Sequence, residues 1–212
     1  MQIDTLFQIL ILIFSVILHE VAHGYMANWL GDPTARLQGR LTLNPLSHID
    51  PVGSVILPAI LVLSNSPIMI GFAKPVPYNP HYLHGKYDEA LVAGAGPATN
   101  LFLAIIFGLA IRFGSVSMSP ALFNAFAMIV IINLTLAIFN LIPIPPLDGS
   151  KVLSTILPGN LGRAYGHFRA NFERLGILSG TLLLMLFFYL FLAPYFGTTL
   201  FALFRLITGV TA

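Results

Sequence analysis

The sequence predicts an all-α polytopic membrane protein, with about five to six transmembrane or membrane-embedded helices and short extended strands or a hairpin near its polar centre. Of the 212 residues, 57% are hydrophobic and only 8% are charged, whereas about a quarter of the residues in an ordinary soluble domain are charged. Several apolar runs also reach the ~20 residues that a helix needs to cross a bilayer. These observations exclude an ordinary soluble domain.

Four apolar runs are long enough to cross, at about residues 5–30, 89–113, 120–142 and 175–196. The first stops at Gly31-Asp32-Pro33, a helix terminator followed by a turn. The link from Gly114 to Ser119 is so short that the second and third of these spans form an antiparallel hairpin. We expect the first run to be retained as a span, because it lacks the basic start and small-residue cleavage site of a signal peptide.

The remaining segments are harder to assign. Residues 51–63 are marginal in length and contain Pro58, which predicts a short, kinked or incomplete span. Alternation over residues 35–43 suggests a short strand, and the proline-rich segment 64–88 suggests extended chain or a hairpin. Residues 160–174 are polar and basic, as expected of a surface segment. The tail from residue 198 contains Arg205 and fits either an interfacial helix or part of a further segment.

We expect one domain over residues 1–212, with a core at about 5–157 and a C-terminal surface segment and last span at about 158–212. The chain has no cysteine, so a metal site must use His, Asp or Glu. The formal net charge of +2 does not suggest nucleic-acid binding. The expected surroundings are a lipid bilayer, and a homo-oligomer is left open.

Basic residues indicate the orientation. If residues 51–63 dip in without crossing, most of the basic residues fall on the side where the first span ends, and only Arg112 and Arg205 fall opposite. The positive-inside rule then places the N-terminus outside the cell membrane and the polar centre toward the cytoplasm. The residues on the cytoplasmic side are Arg36, Arg40, Lys74, Lys86, Lys151, Arg163, Arg169 and Arg174.

The first span contains His19-Glu20-Val21-Ala22-His23. Residues four apart share a helix face, so His19 and His23 can bind one metal ion while Glu20 reaches a metal-bound water as general base. Ionisable side chains inside a membrane are costly and default to a functional interpretation. The alternative is a helix end whose polar residues snorkel to the interface.

A catalytic zinc usually has three protein ligands. Asp148 is the favoured third ligand, because the two central spans run out and back and return it to the side where the first span ends. Asp32, His48 and Asp50 are alternatives that also suit turns or caps. The other histidines are better explained as surface or interfacial residues; they are His81, His84 and His167.

Three asparagines also lie in the spans. Asn100 could donate to an oxyanion beside the metal or could tie two helices together, and both interpretations stay open. Asn140 is expected to line the same cavity as Asp148, whereas Asn133 lies deeper and suits a hydrogen bond between helices.

The motifs HEVAH in a first span, GAGPATN at the head of a later one and FNLIPIPPLDG near the last part of the chain resemble the site-2 protease family of intramembrane zinc metalloproteases. The resemblance covers about residues 11–153. It implies zinc bound by His19, His23 and Asp148, Glu20 as acid and base, and Asn100 assisting at the reacting carbonyl.

The resemblance further implies a transmembrane-protein substrate and regulated intramembrane proteolysis, with residues 70–78 as a strand edge for the substrate. PDZ and CBS modules are absent from this sequence, so we expect a minimal prokaryotic member. Two other classes remain: a membrane protein that binds or transports metal, and an inactive protease-like interaction protein. Loss of cleavage with retention of zinc in Glu20→Gln separates them from a protease.

Overall fold

The computed structural model describes residues 2–50, 56, 74–114 and 116–210. Most of the marginal run 51–63, and residues 70–73 of the expected strand edge, lie outside the described residues. Within the described part the chain is helical, and four stretches are long and apolar enough to cross a membrane. These stretches are Leu6–Trp29, Asp88–Gly114, Pro120–Asn140 and Ser179–Thr208.

The helices follow the sequence pattern closely at the first three spans. Helix α1 ends where Gly31 adopts a positive φ of 107° and Pro33 follows. The helix of the third span starts at Pro120, and Ser119 caps it by accepting a hydrogen bond from the Leu122 amide. The elements are α1 Gln2–Trp29, α2 Thr34–Leu37, α3 Asp88–Gly114, α4 Pro120–Asn140, α5 Asp148–Ile156, α6 Gly159–Glu173, α7 Ile177–Phe187 and α8 Ala193–Thr208, with 3₁₀ turns at Pro45–His48 and Pro80–Tyr82.

The last span extends further than predicted. A π-helical stretch, Phe188–Leu192, joins α7 to α8, so the apolar tail continues the span to Thr208 and does not form a separate interfacial helix. Pro194 lies in the first turn of α8, where a missing N–H costs little. The π-helical stretch accommodates the transition between the two helices.

The strand predicted for residues 35–43 was wrong. Backbone groups there bond locally: the Gln38 amide donates to Thr34, and the Arg40 amide donates to Ala35. Gly39 takes a positive φ of 64°, which ends the short helix α2. The described residues contain no strand to pair with this segment. The alternating apolar residues do not form a buried face, because Leu37 and Leu43 are 77% and 54% exposed, whereas Arg40 is only 7% exposed.

The spans pack into one bundle. Helix α3 contacts α1, α4, α5 and α8, so it lies at the centre. Its C-terminal half packs with α4 and α8 around five buried apolar side chains, which are Ala104, Ile111, Val130, Leu134 and Leu200. Helix α6 is fixed to the other end of α3, because Arg169 pairs with Glu89 at 2.8 Å. This frame places the start of α3 and the start of α5 beside the end of α1.

Candidate metal centre

Three potential metal ligands meet where α1, α3 and α5 come together. His19 and His23 lie one turn apart on α1, and Asp148 is the first residue of α5. The Nε2 atoms of the two histidines lie 3.1 and 3.3 Å from Asp148 Oδ2. All three residues are at most 9% exposed, and their ligand atoms lie within 4.8 Å of one another. This group could therefore hold a metal ion.

The hydrogen bonds of the imidazoles fit a metal. The Nδ1–H of His19 donates to the Asn100 side-chain oxygen at 2.5 Å, and that of His23 donates to the Val92 carbonyl at 2.6 Å. Because both partners are acceptors, each neutral ring presents a lone pair at Nε2 toward Asp148. Such pairing of Nδ1 with an oxygen is the usual orientation of metal-binding histidines.

The ligand spacing also fits zinc. Three electron-rich atoms converging without hydrogens between them repel one another unless a cation lies among them. A tetrahedron with bonds of about 2.0–2.1 Å has edges of about 3.3 Å, close to the separations of 3.1 and 3.3 Å from Asp148 to the two histidines. The donor set of two imidazoles and one carboxylate is one that zinc accepts.

Opposing effects act on the Asp148 carboxyl. Burial acts to raise its pKa, whereas the ammonium group of Lys151 acts to lower it. Lys151 lies 3.9 Å from Asp148 Oδ1 and 5.4 Å from the centre of the Tyr78 ring. Burial raises the pKa of Tyr78, so its phenol stays protonated at neutral pH.

Glu20 opens onto the same cavity as the three ligands. The cavity measures about 400 Å³ and is also lined by Asn140, Lys151 and residues 75–78. The backbone N–H of Val76 donates to Glu20 Oε2 at 2.9 Å. Pro75 and Pro77 flank Val76 and have no N–H, so Val76 supplies the amide donor at this point of the chain. Glu20 is thereby oriented from across the cavity.

Residues 74–79, which we term the strap, are fixed at several points. The Lys74 amide donates to the His48 carbonyl at 2.9 Å. Arg40 donates to the carbonyls of Lys74 and Pro75 at 2.9 and 3.3 Å. The Asn79 amide donates to Asp32 at 2.6 Å. The described part of the expected strand edge, residues 74–78, is thus irregular chain that is hydrogen-bonded to other parts of the protein.

A glycine allows α3 to approach the metal centre. A Cβ added at Gly96 would overlap the Nε2 atoms of both His19 and His23. Two residues earlier, a Cβ added at Gly94 would meet nothing within 4 Å. The small residue is therefore required at Gly96 by the ligands themselves.

The asparagines expected near the centre are all close to it. Asn140 lines the cavity, as predicted. Asn100 is fully buried; its oxygen accepts from His19, and its NH₂ group donates to the Ser15 carbonyl and to Asn133. Asn133 joins α4 to α1 and α3, the interhelical role predicted for it. Assistance by Asn100 at a reacting carbonyl stays a prediction.

The alternative ligands are elsewhere. Asp32 is fully buried and accepts from Thr34 and Asn79, so it stabilises the turn after α1. His48 donates to the Thr42 carbonyl at 2.8 Å. Neither these residues nor Asp50 belongs to the metal-binding group found among the described residues. The three other histidines are exposed: His81, His84 and His167.

Sequence reasoning missed several residues that shape the centre. Lys151 could have been found, because it follows Asp148 by three positions on a helix and so shares its face. The contacts of Val76, Arg40 and Ser15 join segments far apart in the chain, so no local sequence pattern could predict them.

Two buried histidines one turn apart and a neighbouring glutamate in a candidate membrane span, with a converging carboxylate, form a group that could hold a metal ion of the kind found in zinc hydrolases. The comparisons with known proteins agree. The chain belongs to peptidase family M50, the site-2 protease family, whose model matches residues 109–187.

The relatives carry names of the same class. The chain is 39% identical over 158 residues to "Putative zinc metalloprotease YwhC" of Bacillus subtilis, covering 71% of this chain and 68% of that protein. It is 32% identical over 154 residues to "Putative zinc metalloprotease Rip2" of Mycolicibacterium smegmatis, covering 72% and 58%. It is 26% identical over 181 residues to "Zinc metalloprotease MJ0392" of Methanocaldococcus jannaschii, covering 84% and 41%. No solved structure matches the chain significantly.

Proposed function

We propose that this protein is an intramembrane zinc endopeptidase that hydrolyses peptide bonds in or near the transmembrane segments of other membrane proteins. The observation that supports it best is the convergence of His19, His23 and Asp148 beside Glu20 in one cavity at the end of a membrane span. The proposed orientation opens this cavity toward the cytoplasm, in a cell membrane, where water for hydrolysis is available.

In this mechanism His19, His23 and Asp148 would hold zinc, which when bound would supply a Lewis acid and lower the pKa of a bound water. The Glu20 carboxylate takes a proton from the attacking water and later delivers it to the leaving nitrogen. The Val76 amide holds Oε2 of Glu20 so that the carboxylate keeps one orientation through both transfers. Lys151 lies in the same cavity and adds positive charge where negative charge develops.

The substrate must present an unwound peptide, because a helix hides its carbonyls in its own hydrogen bonds. Strand addition along residues 70–78 is part of the proposal. Lys74 and Val76 already use their amides within the protein, so pairing at 74–76 would require these bonds to exchange. Gly or Pro near the scissile bond would ease unwinding of the substrate.

The test compares the wild type with Glu20→Gln and His23→Ala, each purified and reconstituted in lipid vesicles with single-span peptides that contain or lack a Gly-Pro pair. We expect Glu20→Gln to lower the cleavage rate by about 10²–10⁴-fold, the usual contribution of a general base. It should retain zinc as the wild type does, whereas His23→Ala should lose zinc.

Equal cleavage by Glu20→Gln would overturn the mechanism. Zinc bound by a wild type that cleaves no peptide would favour the metal-transport or interaction-protein alternatives. A wild type that stays metal-free in zinc-sufficient buffer would overturn the metal site.

A further inference from the structure

We propose that Asn133 and Ser15, acting through Asn100, form a positioning device for the metal ligand His19. The inference rests on the proposed function, because it takes His19 to be a ligand. None of these three side chains lines the cavity around Glu20. They would act on the centre only by fixing the imidazole that binds the metal.

The four side chains form an unbroken chain of hydrogen bonds. His19 Nδ1–H donates to Asn100 Oδ1 at 2.5 Å, and Asn100 Nδ2 donates to Asn133 Oδ1 at 2.8 Å. Asn133 Nδ2 in turn donates to Ser15 Oγ at 3.0 Å and to the Ile129 carbonyl at 2.9 Å. This series of hydrogen bonds runs from α1 through α3 to α4 and back to α1.

Backbone carbonyls fix the donor-to-acceptor direction of these hydrogen bonds. The Ile129 carbonyl can only accept, so it sets which end of the Asn133 amide is NH₂. The Ser15 carbonyl, 3.3 Å from Asn100 Nδ2, sets the Asn100 amide in the same way. If the Asn100 amide were flipped, its oxygen would face two acceptors and its NH₂ would face His19. The His19 proton is therefore held on Nδ1, and its Nε2 lone pair faces Asp148.

Burial makes each of these hydrogen bonds hard to replace. Ser15 is 4% exposed, Asn133 is 1% exposed and Asn100 is fully buried, all within the membrane-spanning helices. Polar groups there have no water to replace a lost partner, so an unmade hydrogen bond costs more than at a surface. Removing one member thus leaves the next free to turn, and the disturbance passes to His19.

A purely structural role must be separated from positioning. The same bonds join three helices, and interhelical hydrogen bonds alone stabilise membrane bundles modestly. A structural role predicts lost stability with unchanged zinc affinity in the protein that remains folded. A positioning role predicts that the variant binds zinc more weakly than a core variant that has lost the same stability.

The experiment measures the zinc dissociation constant of the full-length chain in detergent micelles by competition with a chelator. Asn133→Leu should weaken zinc binding by about 10–100-fold, the usual effect of losing a partner behind a metal ligand. Asn100→Asp keeps an acceptor for His19, so it should bind zinc at least as tightly as the wild type, unlike Asn133→Leu. The matched control is Leu134→Ala, the fully buried neighbour on α4, which should lower the thermal midpoint and leave zinc affinity unchanged.

A second measurement reports the imidazole directly. In metal-free protein labelled with ¹⁵N-histidine, His19 should show a single Nδ1–H tautomer in the wild type and a mixture in Asn133→Leu. Ser15→Ala removes one hydrogen bond, so it serves as the milder variant if Asn133→Leu does not fold, and it should weaken zinc binding by about threefold.

The outcomes distinguish this inference from the proposed function. Wild-type zinc affinity and a single His19 tautomer in Asn133→Leu, or in Ser15→Ala where that variant must be used, would overturn the positioning role and leave the metal site standing. Failure of the wild type to bind zinc at all would overturn the proposed function itself.

Discussion

At the residue scale, an added methyl group should affect two glycines near the start of α3 very differently. Gly96 faces the Nε2 atoms of both histidines, so Gly96→Ala must displace the ligands or the helix. Gly94 has open space where a Cβ would stand. Alanine there also gains helix propensity of about 0.8–1 kcal/mol.

We therefore expect Gly96→Ala to lower zinc bound per chain by tenfold or more, with Gly94→Ala as a control that binds zinc normally and unfolds at an equal or higher temperature. Elemental analysis of the purified proteins and their thermal midpoints would check this. Normal zinc content in Gly96→Ala would mean that α3 lies further from the metal centre than the structure places it.

The candidate ligand residues could be predicted from the sequence because their geometry follows from local rules. The spacing of His19 and His23 is one helical turn, and the out-and-back path of two spans brings Asp148 to the same end. What surrounds them was not accessible, because Asn100 and Val76 contact α1 from positions 81 and 56 residues away.

At the scale of elements, the strap 74–79 connects the surface loops to Glu20, the proposed general base. Its Val76 amide contacts Glu20, and Arg40 holds the strap by two backbone carbonyls. The strand predicted around Arg40 is absent, because the backbone there bonds locally in a short helix and turn, and the Arg40 side chain reaches the strap without a neighbouring strand.

Arg40→Met should loosen the strap, because the two carbonyls lose their buried donor while the aliphatic volume is largely kept. We expect faster cleavage of the chain by an added protease within residues 74–79, a lower turnover number against the Gly-Pro peptides, and unchanged zinc content. Arg36→Met is the matched control, since Arg36 is exposed and lies one turn earlier. Protection of the strap equal to that of the wild type would contradict this role for Arg40.

At the scale of the whole molecule, the helices agree with the charge pattern. Arg112 at the end of α3 donates to the Leu206 carbonyl at 2.9 Å, so the ends of α3 and α8 lie on one side of the bundle. Arg205 belongs to that same end. Arg112 and Arg205, which the sequence analysis placed apart from the other basic residues, therefore lie at the same end of the bundle.

This agreement leads to a topology that can be measured directly. The chain contains no cysteine, so single cysteines can be introduced without removing native ones. We expect Ser117→Cys, between α3 and α4, to react with a membrane-impermeant maleimide in intact cells. Asn160→Cys, in the first turn of α6, should react only after the membrane is permeabilised. Both positions are exposed, so access to the reagent and not burial decides the result. The reverse pattern would place the metal centre toward the outside and would contradict the proposed orientation.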